Sequence, residues 1–495
     1  MRGLWCSTGT DCAAPDTKRL MQVDSTVLST AGTPLLEVFA RQGATALRWR
    51  GSTASQRVAA ILRLRDALLD QIDQVYEAAH QDVRKSAGEV DLGEILPVCL
   101  EANAVARHLA RWMKPRPVGA TWLTLGTRSQ VQLQPRGRCL IIGPYNYPLN
   151  LTFSPLISAL AAGNPVMLKP SELTPALSAV MARLIAQVFP EDEVAVFEGP
   201  AQVAQALQEL PFDHVFFTGS TTVGRQVMAA AARHLASVTL ELGGKSPSIV
   251  DASADLKLAA RNVVWAKFAN AGQTCIAPDH VYVHESVKDE WLACCRKELA
   301  QAYGDSLDAQ EQTLTHMVNE RHAARVAGLL EDARQRGAQL LWGGQQRGRF
   351  IEPTLLDQVP EDAQMMRREI FGPLLPVMAY RELDEVIARV NAGPKPLALY
   401  LYSRTPEHVQ RILAQTSSGG VCINHALLQY LHSGLPFGGV NESGMGQARG
   451  YHGFRSFSHE RAVLKARWAW SVRLFSPGPV PMALRRLARW AFRRL

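Results

Sequence analysis

The chain has 495 residues, of which 47% are hydrophobic and 20% are charged, enough to bury a large core in two or three domains. The eight cysteines are scattered, and the first fifteen residues lack the unbroken apolar run that export requires, so we expect a cytoplasmic protein. The net charge of +8 comes from residues 461–495, which carry nine basic side chains and no acidic one. The rest of the chain is nearly neutral, which argues against a nucleic-acid partner.

The N-terminal part of the chain is predicted to be a leader followed by helices. Residues 1–33 show no hydrophobic periodicity, so we expect a poorly ordered leader. Residues 34–113 are helical in pattern, as in Ser55 to His80, where apolar residues recur at spacings of three and four. Gln130 to Gln134 alternates polar and apolar residues, which predicts an exposed β-ribbon.

A regular alternation of short apolar runs and helical stretches follows. The first series of runs lies at 139–142, 166–168, 194–197 and 215–217, and a second series lies at 246–250, 281–283 and 397–401. Continuous apolar strands alternating with helices are typical of a parallel sheet whose two faces are both covered. The sequence therefore predicts an α/β fold with two α/β domains.

One strand in the first series ends in a motif that suits a phosphate. The run 215–217 passes through Thr218, Gly219 and Ser220 directly into a predicted helix. Free N–H groups at a helix N-terminus bind a pyrophosphate, and the helix dipole favours its charge. The same arrangement also occurs in ordinary α/β crossovers, so this motif alone is weak.

Cys275 lies in the glycine-containing segment Asn270 to Cys275, after a predicted helix. A thiol in such a loop is accessible to substrate, and nearby backbone N–H groups would lower its pKa from about 8.5. The alternative is a buried structural cysteine, which is the more common fate of a single cysteine.

Two further polar residues stand at predicted strand ends. Glu241 ends the apolar strand 238–242 just before two glycines, where burial would raise its pKa towards the range of a general base. A paired structural charge is the alternative for this carboxylate. Asn146 places a neutral amide in the turn 143–148, at the carboxyl end of a strand, where open α/β sheets place their sites.

Seven motifs together resemble the aldehyde dehydrogenase superfamily over residues 34 to 465. They are, in order, GPYNYP, AAGNPVMLKPSE, FTGSTTVG, LELGGKSP, NAGQTC, EIFGP and LPFGGVNESGMG. The short leader, the Asn-Tyr-Pro turn and the segment Phe457-Ser458-His459 are most similar to the class 3 branch, which includes fatty and coniferyl-type aldehyde dehydrogenases. The resemblance implies oxidation of an aldehyde, medium or long aliphatic or aromatic, to the carboxylic acid.

The resemblance also implies a role for each matching residue. Cys275 would be the nucleophile, Glu241 the base for hydrolysis, and Asn146 with the Cys275 backbone N–H the oxyanion hole. The cofactor residues would be Lys169 and Glu172 at the adenosine ribose, Gly219, Ser220 and Gly224 at the pyrophosphate, Glu369 at the nicotinamide ribose, and Phe371 near the ring. We expect NAD, with NADP as the alternative, because the Glu172 carboxylate would repel a 2′-phosphate. No metal is expected.

The implied architecture is a Rossmann-like cofactor domain, an α/β catalytic domain and a small β bridging arm. The expected boundaries are 34–119 and 138–240 for the cofactor domain, 241–414 for the catalytic domain, 120–137 and 415–450 for the arm, and 451–495 for a basic tail. Such arms pair subunits by strand addition, so we expect a homodimer.

Three functions compete for this pattern: a hydrolytic dehydrogenase, a CoA-acylating dehydrogenase, and an inactive relative that only binds nucleotide. Acylating relatives commonly lack the glutamate base, and an inactive relative should have lost Cys275, Asn146 or Glu241. The presence of all three favours hydrolysis. The chain departs from the family pattern at Asn441, where glycine is common, and at Ala448-Arg449, where class 3 members often have Tyr-His.

The last segment of the tail is predicted to form an amphipathic helix. Leu484, Leu487, Ala488, Ala491 and Leu495 share one face of a helix over 481–495, and Arg485, Arg486, Arg489 and Arg493 share the other. This pattern is typical of an element that lies in the interface of an anionic membrane. The alternative is a helix packed on the enzyme's own body or on a partner subunit. The helix is too short and too charged to span a bilayer.

Overall fold

The computed structural model describes residues 27–121, 124, 126–304, 306–467 and 482–492. The α-helices in this part of the chain are Leu35–Arg50, Ala54–Asp70, Ile72–Val83, Ala87–Val90, Leu96–Trp112, Asn150–Ala162, Pro175–Val188, Ala201–Gln208, Thr221–Ala232, Leu256–Phe268, Lys288–Tyr303, Leu307–Thr313, Glu320–Gln335, Gln364–Arg367, Leu383–Ala392, Pro406–Gln415, Leu428–Leu431, Gly450–Ser456 and Met482–Phe492. A π-helical turn spans Asp91–Ile95, and 3₁₀ turns span Ala269–Gly272 and Glu285–Val287.

The strands are β1 (Arg116–Val118), β2 (Thr127–Pro135), β3 (Cys139–Ile142), β4 (Val166–Lys169), β5 (Val194–Val196), β6 (His214–Gly219), β7 (Ser237–Leu242), β8 (Pro247–Val250), β9 (His280–His284), β10 (Gln339–Trp342), β11 (Gln346–Arg347), β12 (Phe350–Ile351), β13 (Thr354–Asp357), β14 (Leu374–Tyr380), β15 (Ala398–Tyr402), β16 (Gly420–Ile423), β17 (Gly444–Met445) and β18 (Ser458–Ala466). Each apolar run predicted from the sequence forms a strand.

The first large sheet has six strands in the order β17-β7-β6-β3-β4-β5, all parallel except β17. Its strands are buried on both faces. Along β3, Cys139 and Ile141 face one hydrophobic cluster, and Leu140 and Ile142 face the other. This alternation explains why the strand reads as a continuous apolar run. The carboxyl ends of β7, β6, β3 and β4 meet at one edge of the sheet.

The second large sheet has seven strands in the order β10-β13-β14-β9-β8-β15-β16, all parallel except β10. Hydrophobic clusters cover both of its faces. The predicted fold class, with two α/β sheets, is confirmed.

The third sheet is antiparallel and is formed by polar segments of the chain. It has the order β1-β2-β18, and β2 pairs with β18 along nine residues, from Pro135 opposite Ser458 to Thr127 opposite Ala466. The sequence analysis expected residues 120–137 and 415–450 to form the arm, and these domain boundaries stay a prediction; in the structure, β2 pairs with β18. Strand β16 instead joins the seven-stranded sheet beside β15, because the helix Pro406–Gln415 forms a parallel crossover between them.

The predicted leader is partly bound to the body. The hydroxyl groups of Ser29 and Thr33 both donate hydrogen bonds to the Glu191 carboxylate, and the Thr30 N–H donates to the Val196 carbonyl at 2.8 Å. Residues 29–33 of the expected leader therefore contact the body of the protein, and the boundary at residue 33 stays a prediction. Residues 1–26 of the expected leader lie outside the described residues.

At the other end of the chain, the helix Met482–Phe492 lies within the predicted amphipathic segment, and its Met482 and Trp490 side chains are exposed. Residues 468–480 of the tail, and residues 481 and 493–495 of that segment, lie outside the described residues. Across the described ranges, none of the helices combines the length and apolar character needed to cross a bilayer.

Candidate active site

Cys275 lies in a tightly constrained loop between the helix Leu256–Phe268 and β9. Asn270, Ala271 and Gly272 all adopt left-handed backbone conformations. A Cβ on Gly272 would lie 2.3 Å from the carbonyl oxygen of Gly372, so only glycine fits this close approach. The loop conformation is therefore fixed by tertiary contacts rather than by the intrinsic preferences of its residues.

Asn146 is held against this loop in the turn that follows β3. Its buried side-chain amide donates to the Gln273 carbonyl at 2.9 Å, two residues before Cys275. The Asn270 side chain donates to the Asn146 carbonyl, also at 2.9 Å. An amide group has two N–H donors, so the second N–H of Asn146 is available for another acceptor beside Cys275.

A buried ion pair that the sequence analysis missed supports the same turn. Lys85 Nζ lies 2.8 Å from Glu94 Oε1 and donates to the Asn146 carbonyl at 2.9 Å, and both charged side chains are fully buried. The other oxygen of Glu94 accepts the Asn150 N–H at 3.0 Å. Nothing in the sequence signals this pair, because Lys85 and Asn146 are 61 positions apart and lie in different elements.

Glu241 lies at the carboxyl end of β7, and only 6% of the residue is exposed. Neither carboxylate oxygen has a hydrogen-bond partner among the described residues, and burial raises the pKa of the group well above its usual value. Glu241 and Cys275 line the same cavity. The paired structural charge considered for Glu241 is therefore absent from the described part of the chain.

The pKa of the Cys275 thiol is raised, whereas the sequence analysis expected it to be lowered. Burial, followed by the nearby carboxyl groups of Glu369 and Glu241, raises its pKa to about 12. The backbone N–H groups of Cys275 and Ile276 act in the expected direction, but their effect is smaller than that of burial. The expected lowering is wrong, and in the state described here the sulfur is a thiol at neutral pH.

The edge of the six-stranded sheet fits a dinucleotide at the point where the strand order reverses between β3 and β6. Ser220 caps the helix Thr221–Ala232, accepting the Val223 N–H at 3.4 Å, and Gly224 is buried in the first turn. A Cβ on Gly219 would lie 2.4 Å from the Phe217 ring. A larger residue at this position would therefore clash with the ring, whereas glycine fits. A helix N-terminus at the carboxyl edge of a parallel sheet is the kind of position at which a pyrophosphate can bind.

Lys169 and Glu172 lie next to this edge, at the carboxyl end of β4. The buried Lys169 ammonium donates to the Pro170 carbonyl at 2.7 Å and to Glu172 Oε2 at 3.1 Å. The Glu172 side chain is 41% exposed, so its carboxylate is accessible from solvent.

Glu369 and Phe371 lie between the helix Gln364–Arg367 and β14. The Gly244 N–H donates to Glu369 Oε1 at 3.1 Å, and burial raises the pKa of this carboxyl group to about 7. Phe371 has a left-handed backbone and packs edge-on to Tyr145, with ring centroids 6.0 Å apart. Arg325, which the sequence analysis did not identify, donates to the carbonyls of Glu369, Ile370 and Phe371 and holds this loop.

The unusual Asn441 has a local explanation. Its backbone is left-handed, with φ of 58°, and asparagine is among the few residues that adopt this conformation readily. Its side-chain oxygen accepts a hydrogen bond from Lys395 at 2.9 Å. In the described ranges, no group of three or more His, Cys, Asp and Glu side chains is placed to hold a metal.

A dinucleotide-type sheet edge beside a cavity with a cysteine and a buried glutamate defines an NAD(P)-dependent oxidoreductase. Residues 36–463 match the model of the aldehyde dehydrogenase family, and the chain belongs to that family. It is an NAD(P)-dependent aldehyde dehydrogenase, which oxidises an aldehyde to the carboxylic acid.

The relatives place the chain in the class 3-like branch. It is 44% identical over 432 residues to a Pseudomonas aeruginosa protein described as a probable coniferyl aldehyde dehydrogenase, covering 86% of this chain and 90% of the relative. It is 40% identical over 414 residues to mouse aldehyde dehydrogenase family 3 member B3, covering 83% and 85%. The solved structure of Staphylococcus aureus AldH in a substrate-bound state superposes with a TM-score of 0.86 at 38% identity, covering 92% of this chain and 99% of that chain.

Proposed function

We propose that this enzyme oxidises its aldehyde through a covalent thioester on Cys275, which Glu241 then hydrolyses. The observation that carries the proposal is the cavity shared by Cys275 and Glu241, in which both oxygens of Glu241 lack a partner among the described residues. A carboxylate used only for structure would be paired, because burial of an unpaired charge is costly.

The first steps use Cys275 and Asn146. The Cys275 thiol releases its proton to solvent water, and the electron pair of the sulfur forms a bond to the aldehyde carbon, so that the aldehyde oxygen becomes an alkoxide. The free N–H of the Asn146 amide and the backbone N–H of Cys275 stabilise this negative charge. NAD(P), which Glu369 and Phe371 would help to hold, would supply the acceptor for the hydride that leaves the same carbon. The carbon is then the carbonyl of a thioester.

Glu241 acts in the second half of the reaction. Its carboxylate removes a proton from a water molecule, whose oxygen forms a bond to the thioester carbon. The carbon–sulfur bond breaks, Cys275 leaves as a thiolate, and the carboxylic acid is released. Because burial raises the pKa of Glu241, the base is present only above this raised pKa, so hydrolysis accelerates as the pH increases.

The cofactor is proposed to extend along the edge of the six-stranded sheet. Gly219, Ser220 and Gly224 would hold the pyrophosphate at the helix N-terminus, and Lys169 and Glu172 would hold the adenosine ribose. Glu369 would accept hydrogen bonds from the nicotinamide ribose, with Phe371 near the ring. The close packing at Gly219 and the exposed Glu172 carboxylate support this placement.

The cofactor preference provides a test of Glu172. We expect the enzyme to prefer NAD, because the Glu172 carboxylate accepts hydrogen bonds from both ribose hydroxyls and repels a 2′-phosphate. In a Glu172→Gln variant, the ratio of kcat/KM for NAD to that for NADP should fall about tenfold. Steady-state kinetics with both cofactors measure the ratio, and an unchanged ratio would contradict the role of Glu172.

The substrate is proposed to be a medium or long aliphatic aldehyde or an aromatic aldehyde, in keeping with the coniferyl-type relative. NADH formation from octanal, hexadecanal, benzaldehyde and cinnamaldehyde tests this class. We expect at least one of them to reach a kcat/KM above about 10⁴ M⁻¹s⁻¹ without CoA. A requirement for CoA, with an acyl-CoA product, would instead identify an acylating dehydrogenase.

A homodimer is proposed from the antiparallel sheet. Strand β18 lies at its edge, its side chains are mostly exposed, and among the described strands its outer edge has no partner. Edge strands of this kind pair readily with a second copy. Light scattering of the purified chain should give twice the mass of one chain, whereas a monomer mass would exclude the dimer.

Attachment to an anionic membrane surface is proposed for the tail helix. Arg485, Arg486 and Arg489 are exposed on the helix Met482–Phe492, and each basic residue near anionic lipid contributes about 1 kcal/mol. The full chain should sediment with phosphatidylserine-containing vesicles, and a chain without residues 468–495 should not. Binding should weaken as salt increases.

Variants of Arg485, Arg486 and Arg489 test whether vesicle binding depends on the positive charge of these residues or on another effect of removing the tail. Replacement of all three by glutamine should release the enzyme from the vesicles, whereas replacement by lysine should retain binding. Equal binding by the full and truncated chains, or binding unaffected by salt, would favour a helix packed on the enzyme or its partner.

A further inference from the structure

The segment 85–95 packs against the turn that carries Asn146. It ends in the π-helical turn Asp91–Ile95, and such turns are rare and often mark functional sites. A Cβ on Gly93 would lie 2.6 Å from the Tyr147 ring, so the two backbones approach each other closely at this point. The segment carries three charged side chains that contact the active-site loops.

Two of these side chains, Lys85 and Glu94, form the fully buried ion pair described above. Burial of two charges is costly unless their remaining donors and acceptors make further hydrogen bonds. Lys85 Nζ donates such a bond to the Asn146 carbonyl at 2.9 Å, and it lies 4.5 Å from the centroid of the Tyr147 ring. The second oxygen of Glu94 accepts the Asn150 N–H at 3.0 Å. The further bonds of the pair therefore hold the turn at both of its ends.

The third side chain, Glu89, holds the loop that precedes Cys275. One oxygen of its half-buried carboxylate accepts the Asn270 N–H at 2.7 Å, and the other accepts the Thr315 hydroxyl group. Asn270 has a left-handed backbone, and its side chain donates to the Asn146 carbonyl at 2.9 Å. The Asn146 carbonyl therefore accepts one hydrogen bond from the ion pair and one from the cysteine loop. The segment 85–95 thus contacts both elements that supply the proposed oxyanion hole.

We propose that Lys85, Glu89 and Glu94 are positioning residues for the oxyanion hole. They hold the Asn146 amide and the Cys275 backbone N–H at the separation that binds the alkoxide. The alkoxide forms only after the sulfur has added to the aldehyde, so misplacement of either donor slows the chemical step and leaves binding of substrate and cofactor unchanged. A displacement of about 1 Å is enough to lower the rate about 10²-fold. The inference rests on the proposed role of Asn146.

The first test removes both charges of the buried pair together, so that neither charge is left buried without a partner. In a Lys85→Met/Glu94→Gln variant, the single-turnover rate of NADH formation, measured by rapid mixing, should fall about 10- to 100-fold. The KM values for NAD and aldehyde should stay within about threefold. A matched Lys288→Met/Asp357→Asn variant removes another largely buried pair, which joins the helix Lys288–Tyr303 to β13, and should keep the parental rate. An equal loss of rate in this control would contradict the proposal.

Combination with Asn146→Ala tests whether the pair acts through Asn146. Asn146→Ala alone should lower the single-turnover rate about 10²- to 10³-fold. Addition of the Lys85→Met/Glu94→Gln changes should then lower it less than about threefold, because the amide that they position is already absent. The same fractional loss in both backgrounds would show that the pair acts elsewhere. A parental rate for Asn146→Ala would overturn the role proposed for Asn146 itself, whereas a slow Asn146→Ala variant beside an unimpaired pair variant would overturn only the positioning role.

Variants of the half-buried Glu89 decide the question if the pair variant does not fold. Glu89→Ala should lower the single-turnover rate about tenfold or more, and Glu89→Gln, whose amide oxygen still accepts the Asn270 N–H, should restore most of it. Alkylation of Cys275 by iodoacetamide forms no alkoxide, so its rate should stay within about threefold of the parental rate in both variants. A parental rate of NADH formation in Glu89→Ala, or equal slowing of alkylation and NADH formation, would overturn the proposal.

Discussion

Replacement of Cys275 by alanine is expected to reduce aldehyde-dependent NADH formation by about 10⁴-fold or more, because no other described cysteine lines the cavity with Glu241. Binding of NAD, measured by calorimetry, should be unchanged, since the proposed cofactor residues lie along the edge of the six-stranded sheet. A matched Cys294→Ala variant, in which the altered residue is also half-buried but lies on the helix Lys288–Tyr303, should retain full activity.

Labelling with iodoacetamide tests the same assignment and the raised pKa together. Since only the thiolate reacts, and burial raises the pKa of Cys275 to about 12, inactivation of the free enzyme should accelerate with pH, by about tenfold per unit between pH 7 and 9. Peptide mass spectrometry should find the label on Cys275 when activity is lost. Loss of activity through labelling of Cys294 or Cys422 alone would show that the nucleophile is wrongly assigned.

Replacement of Glu241 by glutamine is expected to arrest the enzyme after the thioester has formed. The side chain keeps its size but loses the ability to accept a proton, so the first half of the reaction should proceed and hydrolysis should slow by about 10²- to 10⁴-fold. Rapid mixing with NAD and aldehyde should give a burst of about one NADH per site, followed by slow turnover.

Two further measurements support this test. Intact-protein mass spectrometry should detect the acyl group on the arrested Glu241→Gln variant, and hydroxylamine, which attacks a thioester without a general base, should restore turnover. Steady turnover at the parental rate would exclude Glu241 as the essential base. A variant with no burst would place Glu241 in the first half of the reaction instead.

The strands and the reacting residues were predictable from the sequence for local reasons. A strand buried on both faces must be apolar throughout, so the runs at 139–142 and 215–217 could be located without knowledge of their neighbours. Glycines at sharp turns and residues at strand ends are also local features. The motifs around Asn146, Glu241 and Cys275 could therefore be identified. The six-stranded sheet brings Asn146 and Glu241 to one edge, and the loop that holds Cys275 lies against that edge.

Other features depend on contacts between distant segments. The pairing of β2 with β18 joins residues more than 300 positions apart, and the polar sequence of β18 resembles any exposed segment. The ion pair between Lys85 and Glu94 likewise has meaning only because it supports the Asn146 carbonyl. Neither feature leaves a local pattern in the sequence, so neither could be predicted from it.

The sequence by itself determined the α/β class, the family and the residues available for chemistry, because these follow from periodicity and from short motifs. Only the tertiary structure decided the protonation of those residues and the shape of their surroundings. The Cys275 pKa is raised rather than lowered because burial outweighs the local backbone N–H groups. In the same way, nothing in the local sequence shows that Arg449 is buried, and the folded chain places its guanidinium group 3.6 Å from the buried Glu101 carboxylate and over the Tyr430 ring.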